Sequence, residues 1–193
     1  MDTLIITAGV FFPPDSSGRI SDHQWRQTYN VNVIDPAMVA EEAYTVWRRQ
    51  GMSANLILTS SVNATISKVG SLAYDSSKAA LNHLVRELAL QMAPLVRVNA
   101  LAPTTVVEGS SMFPRERGIS SLSKYQLPFD EQEDTESQRK RLADFYAQRT
   151  LLKFQISPEQ QAEAIFLLAS ERLCRTTGQL INVDDGLQED FVR

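Results

Sequence analysis

Ser61, Tyr74 and Lys78 are the residues of this chain whose types and spacing can do chemistry. They lie in Leu58-Thr-Ser-Ser61 and Ala73-Tyr74-Asp-Ser-Ser-Lys78. A tyrosine and a lysine four apart share one face of a helix. The serine stands thirteen residues before the tyrosine, at the end of an apolar run that reads as a strand. A free phenol titrates near pH ~10, too high for a good base. A nearby ammonium favours the phenolate and lowers that value. A serine hydroxyl beside it can hold the oxygen of a carbonyl or an alcohol. The three together can pass a proton to or from an alcohol–carbonyl pair. The Tyr-x-x-x-Lys spacing alone is weak, since five tyrosines and five lysines in 193 residues produce it by chance about once in eight such chains.

The elements that must position these groups can be read from periodicity and punctuation. A buried strand is expected over 3–7 and a Pro/Ser/Gly loop over 11–20. Ser21 and Asp22 are expected to cap a short helix to about 30. Asp35 followed by Pro36 reads as an N-cap and a first-turn proline, opening a helix to 50 that Gly51 stops. A second buried strand, 55–59, leads into Ser60 and Ser61. The helix that carries Tyr74 and Lys78 has Leu81, Leu84, Val85, Leu88 and Met92 at the helical period. A third strand is expected over 95–101. The stretch 106–154 is long and polar, nearly all charged over 130–136, with the acidic run 130–134 read as a solvated loop. Ser157, Pro158 and Gln160 form a capping-box start for a helix to 170, and a last strand covers 179–183. Strands alternating with helices imply a parallel sheet, here a three-layer Rossmann-like α/β fold.

These motifs, in their order, resemble the short-chain dehydrogenase/reductase family. The resemblance rests on Ile5-Ile-Thr-Ala-Gly9, Trp25-Arg-Gln-Thr-Tyr-Asn-Val-Asn32, the Ser61–Tyr74–Lys78 set, Arg97-Val-Asn-Ala-Leu-Ala-Pro103 and Thr176-Thr-Gly-Gln-Leu-Ile-Asn-Val-Asp184. It runs from the fourth strand of that fold to its end. It implies an oxidoreductase using NAD or NADP, with Ser61, Tyr74, Lys78 and Asn32 as catalytic residues. Asn32, with Asn30 as its competitor, would hold a water in a proton relay, or serve a structural turn. Ser60 competes with Ser61. The resemblance assigns cofactor contacts to Ala8, Gly9, Tyr74, Lys78, Pro103, Thr104 and Val106. Departures are visible: Ile6-Thr7 stands for a pair of asparagines, Thr104 for a glycine, Glu108 for a threonine, and Asp184-Asp185-Gly186 for Asp-Gly-Gly.

That family opens with a strand, a Gly-rich turn and a helix whose N–H groups hold the pyrophosphate. No such glycine pattern occurs in this sequence. The expectation is a C-terminal part of the dinucleotide domain, truncated at the N-terminus, over residues 1–193, with a substrate-side insertion at about 106–154. The residue that chooses NAD or NADP would lie in the missing part. A narrower resemblance, to the dehydrogenase half of bifunctional rhamnulose-1-phosphate aldolase/alcohol dehydrogenases, rests on the stretch Ala102 to Arg117. It also rests on Lys124-Tyr-Gln-Leu-Pro-Phe, Phe145-Tyr-Ala-Gln-Arg-Thr and Val183-Asp-Asp-Gly-Leu-Gln-Glu-Asp-Phe. It implies a lactaldehyde-type substrate. The alternatives are a generic sugar-alcohol or 3-oxoacyl reductase of the same family, and a non-enzymatic remnant acting as an interaction module.

Net charge of −4 and a pI near 5.2 leave no basic footprint for nucleic acid. No apolar run nears the ~20 residues of a membrane span, and no signal peptide is present, so a cytoplasmic location is expected. One cysteine, Cys174, excludes an internal disulfide; a semi-buried packing role is expected for it. His23 and His83 stand alone, so no metal site is expected. Trp25 and Trp47 read as helix packing. The family resemblance implies a homodimer or homotetramer through the helices at 35–50 and 77–92, and a small-molecule alcohol or aldehyde substrate.

Overall fold

A computed structural model describes residues 2–110 and 112–190. Strands β1 (Thr3–Ile6), β2 (Ala54–Thr59), β3 (Val96–Pro103) and β4 (Leu180–Val183) form one parallel sheet in that order. Parallel neighbours need crossovers, and helices supply them. α1 (Asp22–Tyr29) and α2 (Asp35–Gln50) link β1 to β2, and α3 (Leu72–Met92) links β2 to β3. α4 (Arg115–Lys124), α5 (Thr135–Ala147) and α6 (Pro158–Ala169) lie between β3 and β4.

Alternation along the strands sorts their side chains onto two faces. Leu56, Leu58, Val98 and Ala100 bury against Ala40 and Trp47 of α2 and Leu81, Val85 and Leu88 of α3. From the other face Asn55 donates to the Ala169 carbonyl at 3.1 Å and Arg97 to the Leu168 carbonyl at 3.1 Å, both at the end of α6. Helices therefore cover both faces, giving three layers. β1 is the sheet edge. It is half-buried rather than buried as its apolar run suggests: Leu4 and Ile6 reach the α2–α3 core, while Ile5 points to the α6 side and is 45% exposed. α6 packs on β2, β3 and β4, which leaves that end of the face open.

The expected break before Asp35 does not occur. The chain passes from α1 into α2 through a single π-helical turn, Asn30–Ile34, in which the Asp35 N–H reaches back five residues to the Asn30 carbonyl. Ile34 is helical and caps nothing. Pro36 is the physical reason: it brings no N–H to the Asn32 carbonyl four residues earlier, and its ring crowds that carbonyl. Widening one turn relieves the clash, and such turns concentrate at functional sites. Elsewhere local signals hold. Ser21 and Ser157 each make both bonds of a capping box, and Gly51 ends α2 at φ 60°.

The 106–154 stretch departs most from its reading as a polar segment. It carries α4 and α5, which pack around a second core of Val107, Phe113, Leu122, Leu142 and Ala143, flanked by Tyr125, Phe145 and Tyr146. The acidic run is partly structural: Asp134 caps α5 by accepting from the Ser137 N–H at 2.9 Å, and Glu133 forms a two-bond ion pair with Arg141. Cys174 is exposed, since the turn after α6 that holds it lies on the surface. Trp25 stacks beside Tyr29 and Trp47 is fully buried. Among the described residues no helix is long and apolar enough to cross a membrane, and no group of three or more His, Cys, Asp or Glu can hold a metal ion.

Candidate active site

A cleft of about 540 Å³ opens at the C-terminal ends of β1, β2 and β3. Parallel sheets present ligands there, because the loops that follow the strands splay apart. Thr7, Gly9, Ser61, Tyr74, Lys78 and the Pro103–Val106 segment line it. Of the expected site residues, Ala8 is exposed and is not part of the lining, and Asn32 stands behind it. Glu108 faces a different cavity, beside Arg139 and Lys140 of α5.

β2 delivers both serines, and their partners separate them. The Ser60 hydroxyl hydrogen-bonds the Asn82 side chain on α3. The Ser61 hydroxyl accepts from the Asn63 N–H at 3.2 Å and lies near enough to the Tyr74 phenol to lower its pKa. Both serines line the cleft, but the Ser60 hydroxyl is engaged by α3, whereas the Ser61 hydroxyl acts on the Tyr74 phenol.

Tyr74 and Lys78 rise from one face of α3, as their spacing requires. Lys78 is only 3% exposed; its Nζ lies 5.7 Å from the Tyr74 ring centroid and donates to the Thr59 carbonyl at 2.8 Å. Burial pushes its pKa down to about 8. Burial pushes the Tyr74 phenol up, while the Ser61 hydroxyl and the charge of Arg117 pull it down. The sequence offers Lys78 as the source of that cation; in the structure the cation that pulls the phenol down is Arg117, from α4. Its guanidinium sits 4.3 Å from the Phe11 ring centroid and 4.4 Å from that of Phe113, and Phe11 meets Tyr74 edge-on at 5.6 Å. No motif marks Arg117, because it lies 43 residues beyond Tyr74 and arrives only when α4 folds back over the cleft.

Asn32 is fully buried inside the π-turn. Its side chain accepts from the Val10 N–H at 2.8 Å and donates to the Val10 carbonyl at 3.1 Å and to Ser77 Oγ at 3.0 Å. These three bonds clamp the turn after β1 onto α3, a structural task. A side chain at Gly9 would place Cβ 3.5 Å from Lys78 Nζ and 3.7 Å from Asn32 Oδ1, in the space over the buried lysine.

The nicotinamide–ribose half of a dinucleotide fits this arrangement: a side-chain-free position at Gly9, a buried ammonium, and open backbone at Thr104–Val106. The residues present do not include a glycine-rich turn for the pyrophosphate.

The short chain dehydrogenase family profile matches residues 1–117. The chain is 30% identical over 171 residues to the uncharacterized oxidoreductase YuxG of Bacillus subtilis, covering 88% of this chain and 23% of that protein. It is 29% identical over 188 residues to a glucose 1-dehydrogenase of Gluconobacter oxydans, covering 97% of this chain and 62% of that one. The chain thus spans less than two thirds of these relatives' length. Among solved structures, the aldohexose dehydrogenase of Thermoplasma acidophilum superposes with a TM-score of 0.80 at 22% identity, over 97% of this chain and 68% of that one. Sorbitol-6-phosphate 2-dehydrogenase SrlD of Erwinia amylovora does so at 0.83 and 20% identity, over 96% and 68%. At such identities the superpositions speak for the fold. The profile, spanning more than half of the 193 residues and the whole Ser61–Tyr74–Lys78 set, decides the assignment: this chain belongs to the short-chain dehydrogenase family.

Proposed function

We propose that this chain is the C-terminal part, with a substrate-side insertion at about 106–154, of an NAD(P)-binding domain that interconverts an alcohol and a carbonyl. The gathering of Ser61, Tyr74 and Lys78 in one cleft carries the reading. Bound nicotinamide would accept or return the hydride. The Ser61 and Tyr74 hydroxyls would hold the substrate oxygen, and Tyr74 would give it a proton or take one away. Lys78 would favour the phenolate and hold the nicotinamide ribose. The Asn32 carbonyl would hold a relay water, and the backbone at Ala8, Gly9, Pro103, Thr104 and Val106 would line the cofactor. Sugars or sugar alcohols are the substrate class, supported by the relatives named glucose 1-dehydrogenase and L-xylulose reductase. The test is NAD(P)H absorbance with the full-length protein over a panel of aldoses and polyols. No turnover of any member with either cofactor rejects neutral sugars and sugar alcohols as the substrate class.

A second reading makes the chain the dehydrogenase part of a rhamnulose-1-phosphate aldolase/alcohol dehydrogenase acting on lactaldehyde. It is supported by the match to YuxG, which covers 23% of that protein and so sits within a much longer chain. Lactaldehyde in the same panel tests it, and failure to turn it over counts against it.

Arg117 gives the reading a pH signature. Removing a cation near a phenol raises the phenol's pKa. Alcohol oxidation needs the phenolate, so in Arg117→Leu the rise of kcat/KM with pH should move upward by up to about one unit, lowering oxidation at neutral pH by up to about tenfold. Arg117→Lys should keep most of the wild-type profile. An unshifted profile in Arg117→Leu would show that the guanidinium does not act on Tyr74.

The outward faces of α2 and α3 support self-association. Met38 is 60% exposed, Val39 47%, Val46 45% and Leu90 77%, and clustered exposed apolar side chains mark contact surfaces. A homodimer or homotetramer is expected by light scattering at micromolar concentration. Val39→Glu with Val46→Glu should weaken association at least about tenfold, the effect of ~1.4 kcal/mol. A strictly monomeric wild type at high micromolar concentration rejects the contact.

A further inference from the structure

Lys68 is the charged group of the cleft that the proton-transfer scheme does not use. It sits in the loop between Ser61 and α3 and lines the same cleft as Ser61, Tyr74 and Lys78. It also borders a small recess with Thr104, Thr105 and Arg149. Its side chain is half-buried, and its ammonium makes no hydrogen bond or ion pair among the described residues. The nearby carboxylates are otherwise engaged. Asp75 accepts from the Lys68 main-chain N–H at 3.0 Å and from Asn63 Nδ2 at 2.8 Å, and Glu189 pairs with Arg149 at 3.0 Å. Burial, with the charges of Arg149 and Lys124 adding to it and those of Asp75 and Glu189 offsetting part, lowers the pKa of Lys68. The cleft lining contains two lysines and no aspartate or glutamate. Lys78 is spoken for by the Thr59 carbonyl. A half-buried, unpaired ammonium is unfavourable, and an arriving anion offsets that cost through charge-assisted hydrogen bonds.

We propose that the substrate of this cleft carries an anionic group, a carboxylate or a phosphate, which Lys68 binds at a point away from the carbon that exchanges hydride. The substrate class is then a hydroxy acid or a polyol phosphate. This rests on the oxidoreductase reading above and adds a specificity-determining residue to it.

The experiment uses the full-length protein with its cofactor and matched substrate pairs: a neutral polyol against its phosphate ester, and a neutral diol against the corresponding hydroxy acid. The anionic member should show kcat/KM at least about tenfold higher. Which pair shows the preference distinguishes phosphate from carboxylate. Lys68→Gln should raise KM for the anionic member at least about tenfold, while kcat, the cofactor KM and the neutral member change less than about twofold. Lys68→Arg should recover most of the loss. Preference for the neutral members, or an equal loss on both in Lys68→Gln, overturns the proposal. Absence of turnover with every compound rejects the oxidoreductase reading instead. The anion site is then read by titrating inorganic phosphate and acetate into wild type and Lys68→Gln. Binding lost in the variant supports the site; equal binding, or none in either, overturns it.

Discussion

Tyr74→Phe, in a protein that holds the complete dinucleotide site, is expected to lower kcat by at least about 10²–10⁴-fold, the range for losing a positioned general acid–base group. The substitution removes one oxygen and keeps the ring, so the edge-on contact with Phe11 and the packing under the Lys78 ammonium persist. Cofactor affinity should therefore stay within about twofold, and the effect should appear in kcat and kcat/KM alike, as for an interaction made only in the transition state. Lys78→Ala should behave differently. It removes a buried ammonium proposed both to favour the phenolate and to hold the ribose, so cofactor affinity and kcat should fall together. It also leaves the Thr59 carbonyl without its 2.8 Å donor. The pair of variants thus separates proton transfer from cofactor binding. Full activity in Tyr74→Phe would remove Tyr74 from the mechanism.

The polypeptide of residues 1–193 by itself is expected to bind NAD and NADP very weakly and to show no measurable dehydrogenase activity. A dinucleotide is held mainly through its pyrophosphate and adenosine half, by a glycine-rich turn at a helix N-terminus. This sequence contains no such turn. Its cleft offers Lys78, Gly9 and the Thr104–Val106 backbone, which reach only the nicotinamide end. Each charge-assisted hydrogen bond to phosphate is worth about 1.5–3 kcal/mol. Losing two of them weakens binding by roughly 10²–10⁴-fold. Isothermal titration of the purified polypeptide with each cofactor is the direct measurement. Micromolar affinity for either would mean that the polypeptide builds a phosphate site of its own, for instance across a dimer. The open edge at β1, where Ile5 is exposed, is one place for such association.

The sequence by itself determined what local rules govern. The four-residue spacing put Tyr74 and Lys78 on one helix face, and the periodic apolar positions put Leu81, Val85, Leu88 and Met92 in the core. Capping chemistry placed the starts of α1 and α6, and strand–helix alternation implied a parallel sheet before its neighbours were known. These signals act within a few residues, so they survive in a one-dimensional reading. The tertiary structure decided everything that depends on residues far apart in the chain. α4 and α5 are written in mostly polar residues, and only their mutual packing around Leu122 and Leu142 makes them helices with a buried face. The π-turn at Asn30–Ile34 arises where a proline meets a helix that packing prefers to continue, so a local reading saw a cap instead. Which serine faces the tyrosine, what Asn32 clamps, and which cations stand around the phenol are long-range facts of the same kind. Arg117 and Lys68 carry no motif, because a charge is given a role here by the burial and the neighbours that the folded chain builds around it.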